Sequence, residues 1–174
     1  MLDIVIEARN AAISKSMKVK RILPFRLRRM VGPFIFMDHA GPIVEIPSAP
    51  SSLDVLPHPH IGLSTVSYLF GGQVTHRDSL GVEQIIRPGE VNWMTAGSGI
   101  AHSERTEPEM RRTGFRMHGV QTWVALPKTH EETAPAFEHV EMARLPAWRP
   151  YKSIVAECGS RSYHYLPAKN IQAD

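Results

Sequence analysis

The sequence predicts an all-β fold assembled from many short strands, as a sandwich or a closed barrel. Fourteen prolines and twelve glycines punctuate the 174 residues, and turn formers at such short intervals leave room for strands rather than long helices. The segments between them are rich in β-branched and aromatic residues, most clearly Thr65–Phe70, which runs into Gly71-Gly72. Closely spaced strands with tight turns close on one another as a double sheet or a barrel.

Taken in order, Ile4–Glu7 reads as a first strand and Asn10–Met17 fits no single state. Pro33–Met37 is a short aromatic run leading into Asp38-His39-Ala40-Gly41-Pro42, which reads as a turn. Ile43–Leu56, with its prolines and serines, reads as a loop. Thr65–Phe70, Gln73–Arg77, Glu83–Ile86, Val91–Thr95 and Met117–Leu126 are further strands, with a turn at Arg87-Pro88-Gly89-Glu90. Pro127 ends the last of them, and Lys128–Glu132 starts a short helical or loop segment. No repeat period is present.

Composition sets the class. Apolar residues make up 43% and charged residues 21% of the chain, ordinary values for a globular domain of this size. No apolar run approaches the roughly 20 residues that a membrane helix needs, and the N-terminal segment lacks the apolar centre of a secretory signal. Cys158 is the single cysteine, so no internal disulfide forms and a reducing cytoplasm is the expected compartment. The net charge is +3. Its basic residues concentrate at Lys18, Lys20, Arg21, Arg26, Arg28 and Arg29, and a solvated face accounts for them better than nucleic acid does, because no nucleic-acid-binding motif accompanies them.

Chemistry concentrates in two short strings, His58-Pro59-His60 and His102-Ser103-Glu104. In extended backbone, residues i and i+2 point to one face, so each string presents two metal-competent side chains together. Pro59 biases His58 towards an extended conformation on its own account. The run Ala96-Gly97-Ser98-Gly99-Ile100-Ala101 ahead of His102 is small enough for backbone to pack closely beside a site. If the two strands face each other they offer three imidazoles and one carboxylate, a set that suits iron, nickel, manganese, copper or zinc. The same residues also suit a buried polar cluster joined by His–Glu hydrogen bonds. His76 and Asp78 share the i, i+2 spacing, but Asp78-Ser79-Leu80-Gly81 reads as a surface hairpin turn carrying a charged pair. His39 reads as a local hydrogen-bonding residue, His118 faces either way, and His130, His139 and His164 carry no assigned role. Phe34, Phe36 and Met94 read as ordinary core, with pocket lining as the alternative.

The stretch His58-Pro-His-Ile-Gly-Leu-Ser-Thr-Val-Ser-Tyr-Leu-Phe-Gly-Gly72 resembles the first metal motif of the pirin family. Asn92-Trp-Met-Thr-Ala-Gly-Ser-Gly-Ile-Ala-His-Ser-Glu104 resembles its second, and Arg29–Pro42 and His118–Pro127 are similar to further pirin segments. The likeness covers roughly Val19 to Leu145. It implies a jelly-roll β-barrel of the cupin superfamily and a metal site with ligands His58, His60, His102 and Glu104, holding Fe2+. It also implies a quercetin 2,3-dioxygenase-type activity on a flavonol-like substrate, with Glu104 as the catalytic base. Other members of the family are metal-dependent regulators of protein partners, so a binding role without turnover, or an idle barrel, are the alternatives. Where many cupins carry a ligand Glu four residues after the second His of the first motif, this sequence has Ser64, which leaves Glu104 as the carboxylate. The resemblance divides the chain into a first cupin domain over 1–145 and a divergent tail over 146–174. Pirins usually carry a second barrel; a first barrel without it exposes an apolar patch, so either a homodimer or a weakly stable chain is expected.

Overall fold

The computed structural model describes residues 4–13, 17–45, 47, 53–146, 155–158 and 161–164. Residues 1–142 and 143–174 form two compact units. Among its described residues the first contains eleven strands: β1 (Arg9–Ala12), β2 (Lys18–Leu23), β3 (Phe34–Glu45), β4 (Val55–His60), β5 (Leu63–Gly71), β6 (Val74–Asp78), β7 (Glu83–Ile86), β8 (Val91–Thr95), β9 (Ile100–Arg105), β10 (Phe115–Ala125) and β11 (Ala136–Val140). One six-residue helix, α1 (Pro108–Thr113), joins β9 to β10. The second unit holds a hairpin of β12 (Val155–Cys158) and β13 (Arg161–His164), paired antiparallel with Val155 opposite His164. Most of the expected divergent tail lies outside the described residues.

The first unit is a double sheet. Seven strands run in the order β1-β2-β3-β10-β5-β8-β11 and four in the order β4-β9-β6-β7. Every neighbouring pair is antiparallel. Side chains of the two sheets meet between them: Glu104 of β9 reaches Gln121 of β10, and His60 of β4 lies edge-on to Trp123 of β10. Apolar residues at alternating positions supply the core in two clusters. One is Met17, Val19, Ala40 and Leu53, with Phe115 and Met117 packed against it. The other is Met94, Ala96 and Ile100, with Phe137 against it.

The strands over 83–86 and 91–95 lie where the sequence places them, and those expected over 65–70, 73–77 and 117–126 lie within a residue or two at most positions. Three segments differ, the expected loop over 43–56 being one: β3 runs to Glu45 and β4 starts at Val55. Residues 4–7 form no strand; the first begins at Arg9, where pairing with β2 (Arg9 opposite Arg21) decides the conformation. Asp38–Pro42 is not a turn but the middle of the long strand β3. The chain passes through it with Gly41 at φ +88 and a register irregularity opposite Met117–Gly119. A Cβ at Gly41 would run into the Met117 carbonyl oxygen, so glycine allows a bulge in a continuous strand. Of the basic run, Lys18, Lys20 and Arg21 lie on the strand β2, where Val19 and Leu23 are buried. Arg21 donates two hydrogen bonds to Asp38, at 2.8 and 2.7 Å, and stacks over Phe36, while Arg26, Arg28 and Arg29 face solvent.

A candidate metal centre between two strands

The strands β4 and β9 are direct neighbours, with His58 opposite His102 and His60 opposite Ile100. Two local features hold this register. At one end the turn after β8 is tied down: the Gly62 N–H donates to the Gly97 carbonyl at 2.8 Å and the Ser98 N–H to the Thr133 carbonyl at 2.9 Å. Gly97 has φ +51 and no room for a Cβ against the Thr133 carbonyl, which explains the small residues at this point in the sequence. At the other end Asp54, just ahead of β4, accepts a hydrogen bond from the Thr106 N–H at 3.1 Å and pairs with the Arg111 guanidinium of α1.

This pairing brings His58, His60 and His102 together, with one ligand-capable atom of each within 4.8 Å of the others. Their protonation is set from behind. His58 Nδ1 lies 2.8 Å from the Leu56 carbonyl oxygen, which only accepts, so Nδ1 carries the proton and Nε2 is bare. On the far side, His76 Nε2 lies 2.8 Å from Asp78 Oδ2 and therefore donates to it. His76 Nδ1 is then an acceptor, facing His102 Nδ1 at 3.3 Å, so His102 carries its proton on Nδ1 and is bare at Nε2. The Nε2 atoms of His58 and His102 stand 3.1 Å apart with no proton to share. Two lone pairs at that distance repel unless a cation lies against both. His60 Nε2 is buried without any hydrogen-bond partner, the arrangement of a ligand atom rather than a structural one.

Burial completes the preparation. Desolvation, with repulsion from His58, lowers the His60 pKa from 6.5 to about 4. Desolvation, then the neighbouring histidines, lower that of His102 to about 2. Both rings are neutral at physiological pH, the form in which imidazole binds metals. The residues present thus fit a transition metal: neutral nitrogen donors, a partnerless buried Nε2, and back-side hydrogen bonds that orient two of the rings.

Glu104 does not join the cluster among the described residues. It sits two residues beyond His102, where the neighbour on β4 is Val55, past an irregularity between Val55 and His58. Its two oxygens accept from Gln121 Nε2 at 3.0 and 3.2 Å, and Ser67 Oγ lies 3.5 Å from Oε1. Glu104 also borders a mostly apolar cavity of about 60 Å3 that includes Leu69, Ile86 and Met117 in its wall. Ser64 hydrogen-bonds Thr95 at 3.1 Å and is not part of the cluster. His39 and His118 pair with each other, Nε2 to Nε2 at 2.8 Å, on different strands.

Three residues of the surroundings escape a sequence reading. His76 and Asp78 are not a surface pair. β6 lies between β9 and β7, and His76 is 3% exposed with Phe137 stacked on it at 4.4 Å. Their i, i+2 spacing was the available signal, and the turn after them does form, with the Gly81 N–H donating to the Asp78 carbonyl. Gln121 meets Glu104 only through the packing of the two sheets, and nothing local marks it.

Known proteins agree with this architecture. A pirin-like protein of Caulobacter vibrioides is 56% identical over 151 residues, which cover 87% of this chain and 51% of that protein. A solved structure of quercetin 2,3-dioxygenase from Acinetobacter baumannii superposes with a TM-score of 0.73 at 44% identity, covering 83% of this chain and 46% of that one. The fold is shared with a bacterial pirin from Escherichia coli solved in complex with nickel(II), at 22% identity and a TM-score of 0.58, over 76% of this chain and 53% of that one. The chain spans about half the length of the curated relatives it matches. Among the described residues no helix is long and apolar enough to cross a membrane. The pirin family model matches residues 16–124, and the chain, an all-β cupin jelly-roll, belongs to the pirin family.

Proposed function

We propose that this chain binds one iron(II) ion through His58, His60 and His102, with Glu104 as the carboxylate of the site, and acts on a flavonol-type substrate as a quercetin 2,3-dioxygenase does. The observation that carries the metal reading is the pair of bare Nε2 atoms at 3.1 Å beside the partnerless Nε2 of His60. Three imidazoles with a carboxylate nearby suit redox iron chemistry, and nickel, manganese, copper and zinc compete for the same donors. The substrate class is supported by the solved quercetin 2,3-dioxygenase that the fold matches at 44% identity.

In this reading the bound metal supplies open positions for the adjacent oxygens of the substrate and a redox route to O2. Glu104 accepts the hydroxyl proton of the flavonol, a role that requires hydrogen-bond reach. Gln121, donating to both carboxylate oxygens, holds it on the inner face. The decisive experiment is oxygen uptake by the iron-loaded protein with quercetin. Turnover above a metal-only control is expected, and Glu104→Gln lowers it about 100-fold or more. Stoichiometric iron without uptake would remove the enzyme reading.

A metal-dependent binding protein is the second reading. The cavity beside Glu104, about 60 Å3, is small against the roughly 300–1,000 Å3 of typical small-molecule sites. Iron binding without oxygen uptake is the result that favours it.

A further inference from the structure

We propose that Asp78 and His76 are positioning residues, a two-member relay that fixes the tautomer of His102 and so presents its Nε2 to the metal. The proposal rests on the metal reading above.

The relay is built from one strand and its turn. Asp78 is set first: its Oδ1 accepts the Leu80 N–H at 2.9 Å and the Val82 N–H at 3.1 Å. Its other oxygen, Oδ2, is thereby aimed at His76 Nε2, 2.8 Å away. The Asp78 side chain is fully buried and that of His76 nearly so, so no solvent competes for these partners. Phe137 stacks on His76, with ring centroids 4.4 Å apart and an interplanar angle of 24°, and so packs one face of the ring. Cross-strand register places Asp78 opposite His102 and His76 opposite Glu104, so the relay runs diagonally behind the cluster.

With His76 as the neutral imidazole, each proton in this chain has one consistent position. A carboxylate oxygen accepts only, so His76 Nε2 donates; His76 Nδ1 accepts, so His102 Nδ1 donates. The proton is thus kept off His102 Nε2. A ligating histidine whose second ring nitrogen is held by a hydrogen-bonded partner is oriented for its metal, and loss of that partner costs about 10–100-fold in affinity. Here the partner is a second histidine, held in turn by a carboxylate. His58 obtains the same orientation from the Leu56 carbonyl alone.

The test is Asp78→Asn. The amide keeps an oxygen for the Leu80 and Val82 N–H groups but turns an NH2 donor towards His76. His76 must then carry its proton on Nδ1 and donate to His102, which moves the His102 proton to Nε2. In metal-free protein, long-range 1H–15N correlation of the imidazoles should show His102 as the Nδ1–H tautomer in the parent and the Nε2–H tautomer in Asp78→Asn. In Co2+ titrations the variant should bind about 10–100-fold more weakly, with its apoprotein melting temperature close to that of the parent. An Nε2–H tautomer of His102 in the parent apoprotein would overturn the relay without any variant. So would an unchanged tautomer in a folded Asp78→Asn. If the parent binds no Co2+ but shows the expected tautomers, the metal reading fails and the relay stands.

Discussion

Three ring nitrogens carry the proposed metal site. His58 and His102 are each protonated at Nδ1 by what lies behind them, a backbone carbonyl in one case and the His76–Asp78 pair in the other. His60 has a buried Nε2 with no partner. Their convergence was legible in the sequence because a period of two is a property of the strand itself, and Pro59 makes it hold locally. The position of Glu104 was legible only as a face. That its oxygens turn to Gln121 depends on which strand of the opposite sheet lies across from β9, and a local pattern carries no such information. His76 was misread for the same reason: the turn at Asp78–Gly81 is visible in the sequence, while the burial of its strand between two others is not.

At the scale of elements, the site depends on the β4–β9 pairing and on the clamps at its ends. The Asp54 carboxylate ties the start of β4 to the residue after β9 and to α1. Replacing Asp54 with Ala leaves the buried Thr106 N–H without its acceptor and the Arg111 guanidinium with the Thr106 carbonyl alone. Unsatisfied buried donors cost about 1–3 kcal/mol, so Asp54→Ala should lower stability in urea denaturation by about 2 kcal/mol and loosen metal binding with it. A loss within experimental error would show that the clamp does not hold the register. The long β3 makes the complementary point about legibility. Its Asp38–Pro42 segment has turn composition, yet pairing with β2 and β10 on both sides carries the chain through, and glycine serves the bulge rather than a reversal.

For the molecule as a whole, the two lowered histidine pKa values make stability depend on pH. In the folded chain His60 protonates only near pH 4 and His102 only near pH 2, whereas in the unfolded chain both protonate near pH 6.5. Below about pH 6.5 the unfolded state therefore binds more protons, and stability falls as pH falls. The apoprotein melting temperature should be flat above neutrality and drop progressively from about pH 6.5 down through pH 4, with the His102 contribution still being lost towards pH 2. A maximum near pH 5 would contradict the burial of these rings. Metal binding follows the same sign, because protons and metal compete for the same nitrogens. A bound ion should raise the melting temperature at neutral pH, by an amount that grows with metal concentration. The double sheet itself was legible from turn spacing, since many short strands have few ways to bury their faces. The pairing order that places β6 beside β9 was not.

The most direct test of the account is the metal content of the purified protein and of His60→Ala after exposure to iron(II) and removal of excess. The account predicts one ion per chain in the parent and a loss of most of it in the variant, whose fold is otherwise kept. A parent that holds no metal, or a His60→Ala protein that holds it as tightly as the parent, would contradict a metal centre made of His58, His60 and His102.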